Sequence, residues 1–143
     1  KREHEKATEC LQTSLKLKYR HYVGSHLSIA ETLNLLASSL TVIGKNNEAK
    51  THFQEALVIY EKKFGAHMTT CSVLDSLGSV CLSLLCFDDA YRYLERALAL
   101  KRLIFGEEDI EVCNTLFFIG KVQSKSGDMD DALNTFKEGK IYL

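Results

Sequence analysis

The side chains able to do chemistry are few and badly spaced for it. Five histidines, His4, His21, His26, His52 and His67, are scattered along the chain. None forms the HxxxH or HExxH pattern that would set metal ligands on one helical face. The cysteines Cys10, Cys71, Cys81, Cys86 and Cys113 include no CxxC pair. Cys81 and Cys86 are five apart, off one another's helical face, and read as small buried thiols. No GxGxxG, phosphate-binding loop or GxSxG elbow occurs, and Gly120-Lys121 lacks both the upstream glycine and a following Ser or Thr. Asp88-Asp89 superficially suggests dicarboxylate chemistry, but two acids opening a helix also complement its positive dipole end. These residues argue against an enzyme, a bound metal and a cofactor.

With that chemistry absent, composition bounds what remains. The chain has 143 residues, 45% hydrophobic and 26% charged, which is enough to bury a core without disulfides or metal. A formal net charge of -1 gives no attraction to phosphate backbones or anionic lipid, which argues against nucleic acid and membrane partners. The basic excess over residues 1–20 and the acidic group Glu107, Glu108, Asp109 and Glu111 read as solvated helix ends. An odd number of cysteines and the absence of a glycosylation sequon point to a reducing, cytoplasmic setting. No apolar run approaches the ~20 residues of a membrane helix, and no signal-peptide pattern opens the chain. The first residue is not Met and already lies in a helical pattern, so a piece of a larger protein is expected.

The elements that organise the chain follow from an internal repeat. Leu33, Leu36, Ala37 and Leu40 are followed by Ala49, Phe53 and Ala56; Leu74, Leu77, Gly78 and Cys81 by Ala90, Leu94 and Ala97; Leu116, Ile119, Gly120 and Gln123 by Ala132, Phe136 and Gly139. The period is 41 or 42 residues, with Gly24, Gly65 and Gly106 at matching places. Apolar residues at i, i+3, i+4 and i+7 place two helical stripes in each unit, and the absence of Pro leaves those helices uninterrupted. Turns fall at Gly44 to Asn47, Cys86 to Asp89 and Ser126 to Asp128, where Asn46 or Asn47, Asp88 and Asp128 are candidate N-caps. Small residues at Ala37, Gly78, Gly120, Ala49, Ala90 and Ala132 predict close helix crossings. Ala7, Leu11 and Ser14 match Ala49, Phe53 and Ala56, so residues 1–24 read as the second helix of an incomplete repeat. Whole repeats then occupy residues 25–65, 66–106 and 107–143, giving seven helices in one elongated domain.

The pattern of Leu, Gly, then Ala, Phe and Ala resembles the tetratricopeptide repeat (TPR), and the long unit narrows the likeness. Glu55-Ala56-Leu57-Val58-Ile59-Tyr60 before Phe64-Gly65, and Arg96-Ala97-Leu98-Ala99-Leu100 before Phe105-Gly106, resemble the TPR domains of kinesin light chains and nephrocystin-3. Asp75-Ser76 and Phe117-Phe118 stand where the kinesin light chain pattern has an Asn pair, and Leu27, Met68 and Ile110 roughly where it has Pro. The resemblance implies an all-α, right-handed superhelical α-solenoid of antiparallel helices. It also implies that the first helix of each pair lines a concave groove.

If the Leu stripe faces the core, the neighbouring face of the first helices carries Glu31, Asn34, Leu35, Ser38, Thr41 and Val42. The equivalent faces carry Ser72, Asp75, Ser76, Ser79, Leu82 and Ser83, then Asn114, Phe117, Phe118, Lys121, Ser124 and Lys125. Amides and hydroxyls there suit the backbone of an extended peptide, and Leu or Phe its apolar side chains. Phe117 and Phe118 are the candidate anchors, with one of them open to packing against the second helix of its own unit instead. A chaperone-type carboxylate clamp is argued against, because Asn34, Ser38, Ser76, Asn114 and Phe118 stand where that clamp has Lys, Asn and Arg. The expected function is a non-enzymatic, monomeric scaffold or adaptor module that binds a protein or peptide segment. The alternative is a structural spacer or self-association module.

Overall fold

The computed structural model describes residues 1–21 and 27–141. Seven α-helices and no strand occur among the described residues: α1 Arg2–His21, α2 Leu27–Val42, α3 Asn46–Phe64, α4 Met68–Ser83, α5 Phe87–Phe105, α6 Ile110–Ser126 and α7 Met129–Ile141. They form two compact units, Lys1–Gly65 and Ala66–Leu143. The glycine expected to mark a boundary at Gly24 lies outside the described residues.

In the first unit α2 packs against both α1 and α3. Its buried row of Ile29, Ala30, Leu33, Leu36, Ala37 and Leu40 follows the helical period and meets Ala49, Phe53, Ala56, Leu57 and Tyr60 of α3. Each large side chain in such a row contributes ~1.5–3 kcal/mol by leaving water. Ala7, Leu11 and Ser14 of α1 stay half-buried where their α3 counterparts Ala49, Phe53 and Ala56 are buried.

In the second unit α4 packs on α5, α5 on α6 and α6 on α7. Cys81, Leu82, Ala90, Leu94, Leu98, Val112, Leu116, Ile119 and Val122 form its core cluster. Two of its three helical glycines, Gly78 and Gly120, let the pairs cross closely. A Cβ on Gly78 would stand 2.6 Å from Leu94 Cγ, and one on Gly120 2.6 Å from Phe136 Cε1. Large side chains opposite each glycine fill the space a side chain would have taken.

The helix starts differ from the sequence expectation. Asn46, Asn47 and Asp88 lie inside the first turns of α3 and α5, whose N-caps are Lys45 and Cys86 without side-chain hydrogen bonds. Acidic Glu48, Asp88 and Asp89 there act on the helix dipole instead. Side-chain caps fall on the first helices: His67 Nδ1 accepts from the Thr69 N–H at 3.1 Å, and Asp109 Oδ1 from the Glu111 N–H at 2.9 Å. Asp128 immediately precedes α7 and accepts the Ala132 N–H through its backbone carbonyl at 2.9 Å.

The turn after each first helix requires a positive φ. Gly44 and Gly127 supply it in two repeats, at 86° and 99°, whereas the equivalent residue in the middle repeat is Leu85, at 59°. Its side chain is 68% exposed and gains little packing in exchange for a left-handed backbone.

Candidate functional site

The second unit places two first helices, α4 and α6, on either side of α5. On α6 the buried row is Val112, Cys113, Thr115, Leu116, Ile119, Gly120 and Val122. That leaves Glu111, Asn114 and Lys121 exposed and Phe118 half-buried against the core. On α4 the same logic exposes Ser72 and leaves Asp75, Ser76 and Ser79 half-buried.

Lys101 of α5 ties these two faces together. It is 4% exposed, and its ammonium donates to Asp75 Oδ2 of α4 at 2.6 Å and to Thr115 Oγ1 of α6 at 2.9 Å. Glu111 Oε2 lies 3.3 Å from the same nitrogen, so three acceptors match its three N–H groups. Thr115 in turn donates to the Glu111 carbonyl at 3.1 Å. Burial pushes the Asp75 carboxyl above the usual aspartate range; Lys101 pulls it down without offsetting that, and Glu111 adds to the rise. Burial likewise raises the Cys71 thiol, against the lowering effect of Lys101.

Two cavities open on this bridge. One of about 180 Å³ is lined by Asp75, Leu94, Lys101, Glu111, Asn114, Thr115 and Phe118. The other, about 380 Å³, is lined by Met68, Cys71, Ser72, Asp75, Lys101, Phe105 and Glu111. Among the groove residues expected from sequence, Asp75, Asn114 and Phe118 thus share the first cavity, and Ser72 joins Asp75 in the second. Lys121 Nζ sits 5.5 Å from the Phe118 ring centre, a cation over an aromatic face.

Other expected residues take different places. Phe117 packs on α7, its ring 6.0 Å from that of Phe136 and its Cε2 3.7 Å from where a Cβ on Gly139 would lie. Of the two phenylalanines, only Phe118 lines the cavity. Leu82, expected on the groove face, is 7% exposed and belongs to the core cluster. The Ser76 hydroxyl donates to the Ser72 carbonyl at 3.1 Å, leaving its oxygen as an acceptor.

In the first unit Glu31, Leu35, Ser38 and Val42 are exposed, Leu35 by 57%, with Asn34 and Thr41 half-buried. Ser38 donates to the Asn34 carbonyl and Thr41 to that of Ala37, both at 2.9 Å. Lys18 of α1 there repeats the Lys101 arrangement without its acids. Its ammonium donates to Thr32 Oγ1 at 2.5 Å and to the Ser28 carbonyl at 3.2 Å.

Sequence reasoning missed these lysines, because a charged residue on a second helix reads as surface. The signal was present as spacing. Lys18 stands ten residues before Ser28 and fourteen before Thr32, and Lys101 stands ten before Glu111 and fourteen before Thr115. Glu111, read as part of a solvated helix end, is therefore half of an inter-helix ion pair.

Comparison with known proteins agrees with this architecture. Two tetratricopeptide repeat family models match, over residues 29–67 and 69–139. BtubC (BKLC) from P. vanneervenii superposes with a TM-score of 0.88 at 25% identity, covering 98% of this chain and 56% of that one. A Podospora anserina putative kinesin light chain with nearly identical TPR-like repeats gives 0.87 at 15% identity, covering 97% and 66%. Aspartyl phosphate phosphatase F from Bacillus subtilis gives 0.75 at 19% identity, covering 94% and 34%. The chain thus spans about half to two thirds of the first of these structures. No curated protein matches.

Proposed function

Because this chain belongs to the tetratricopeptide repeat family, whose repeats generally serve protein–protein interaction, we propose that it is a non-enzymatic scaffold holding an extended partner segment against its first helices. The observation that carries the reading is the cavity joining α4 and α6, where Asp75, Asn114 and Phe118 meet beside a buried lysine. An extended segment needs hydrogen-bond partners along its backbone and pockets for alternate side chains. Asn114 and the serine row of α4 offer the first, and Phe118 with Leu94 the second. In the first unit the exposed Leu35, flanked by Glu31 and Ser38, offers the same combination on α2. Together with the few and scattered reactive side chains, this favours recognition over catalysis. It suits an adaptor segment working in a cytoplasmic setting.

The test is selection of a random peptide library against the purified chain, followed by fluorescence anisotropy with the recovered peptides. Asn114→Ala should weaken several-fold the peptides held by the second unit and Leu35→Ala those held by the first, both changes being at exposed positions and leaving the melting temperature within the small range of surface substitutions. Peptides that bind with undiminished affinity to both variants would place recognition elsewhere.

A second reading, self-association, rests on the exposed Met129 and Leu133, which lie one turn apart on α7. Light scattering separates the two. A mass that stays at 16.1 kDa over a wide concentration range removes self-association.

A further inference from the structure

The α4, α5 and α6 junction is more than a neutral groove wall. Lys101 holds one carboxylate from each flanking first helix, Asp75 at 2.6 Å and Glu111 at 3.3 Å. One ammonium against two carboxylates leaves the triad of Lys101, Asp75 and Glu111 with a formal charge of -1, the nearby Lys121 lying instead at the Phe118 ring. The lysine side chain is 5% exposed, whereas Asp75 and Glu111 are 36% and 48% exposed, so the surplus negative charge is the part that reaches solvent. Each carboxylate meets Lys101 through one oxygen, Asp75 Oδ2 in a hydrogen bond and Glu111 Oε2 in an ion pair, leaving the other oxygen of each available. The cavity they line continues to Asn114 and to the Phe118 ring.

We propose, resting on the scaffold reading above, that this junction is a specificity subsite for a cationic side chain of the partner segment. The partner's Arg or Lys pairs with the Asp75 and Glu111 carboxylates, and an apolar residue beside it lies on Phe118. Lys101 acts as a positioning residue. It fixes the two acids, which come from different helices, at one separation and is itself too buried to meet the guest. The partner is therefore a basic, apolar peptide segment, chosen by charge complementarity with the Asp75 and Glu111 carboxylates, and its apolar residue takes the place of the Lys121 ammonium, which sits 5.5 Å from the Phe118 ring centre. Guanidinium fits such a carboxylate pair better than ammonium, because its planar fork can bridge two oxygens. The incomplete offset of Asp75's burial by Lys101 agrees with this, since a second cation would supply the missing compensation.

The first unit provides an internal contrast. Among the described residues Lys18 joins α1 to α2 through the Thr32 hydroxyl and the Ser28 carbonyl, both neutral. At the place of Glu111, ten residues after the lysine, the first unit has Ser28, so a lysine joins the two helices there without that acid, which is an addition in the second unit.

The experiment selects a random peptide library in parallel against the wild-type chain, Glu111→Gln and Asp75→Asn, each checked for folding by circular dichroism and thermal melting. Glu111→Gln leaves the Lys101–Asp75 pair in place and keeps the test valid if Asp75→Asn fails to fold. Wild type should enrich peptides carrying Arg or Lys beside an apolar residue. Binding of a recovered peptide should weaken about tenfold in Glu111→Gln and fall as ionic strength rises. Replacing its basic residue by Gln should cost the wild type a similar factor and cost Glu111→Gln much less. Enriched peptides that depend on Asn114 but show no preference for a basic residue, or that prefer acidic ones, would overturn the subsite and leave the scaffold reading standing. Enrichment of no peptide, or of peptides indifferent to Asn114 and Leu35, would overturn the scaffold reading itself.

Discussion

Leu85 and Asp75 both occupy positions that work against them. Leu85 adopts a φ of 59° at a place where Gly44 and Gly127 occur in the other repeats, with its side chain mostly in solvent. A left-handed leucine costs ~1–2 kcal/mol, and glycine's larger unfolded-state entropy returns only part of that. Leu85→Gly should therefore raise the melting temperature by a few degrees in a thermal denaturation scan. Asp75 carries a carboxyl raised above 3.8 by burial and by Glu111, against the pull of Lys101. In the pH window between the ordinary and the raised value the folded chain holds this proton more often than the unfolded chain does. Stability from this group accordingly falls as pH rises through that window and is regained as pH drops. The difference in unfolding free energy between wild type and Asp75→Asn, followed by urea denaturation from acid to neutral pH, should show that slope. Neither position is visible in a stripe of apolar residues. Leu85 needs the alignment of repeats to be seen beside two glycines, and Asp75 needs the partner that faces it.

At the level of helices, the periodicity was sufficient because packing and sequence share one repeat length. Leu33, Leu74 and Leu116 recur on the same stripe, and Gly78 and Gly120 sit where a Cβ would strike Leu94 and Phe136. The caps were less legible, since Asp88 before a helix and Asp88 within its first turn satisfy the same dipole preference. Phe117 and Phe118 could not be separated either. Adjacent residues on a helix differ by about 100°, and both directions lead to apolar surroundings: Phe136 for one, the Leu94 cavity for the other. The junction lysines were illegible for a different reason, namely that a buried cation is recognised by its partners rather than its type. Lys101→Ala should lower stability by ~3 kcal/mol in chemical denaturation, because it leaves Asp75 half-buried without its counter-charge. Lys101→Ala combined with Asp75→Ala should recover a large part of that loss. A double variant no more stable than the single one would mean that the pair is not coupled.

At the scale of the molecule, the all-helical class of the described residues follows from sequence, whereas the division into Lys1–Gly65 and Ala66–Leu143 does not. Every repeat carries the same kind of stripe and ends on the same kind of glycine, so nothing distinguishes the boundary at Gly65 from the one at Gly106. The scattered cysteines span the range of burial, and of the two expected as buried thiols Cys81 is closed off while Cys86 is only half-buried. Cys10 is exposed, Cys86 is half-buried, and Cys71, Cys81 and Cys113 are closed off. A maleimide dye added to the native chain should modify Cys10 at once and Cys86 more slowly. The other three should react only as fast as the Ala66–Leu143 unit opens. Mass spectrometry of the time course would then read local unfolding of that unit directly, with the amino-terminal thiol as an internal zero-time marker and no engineered probe required.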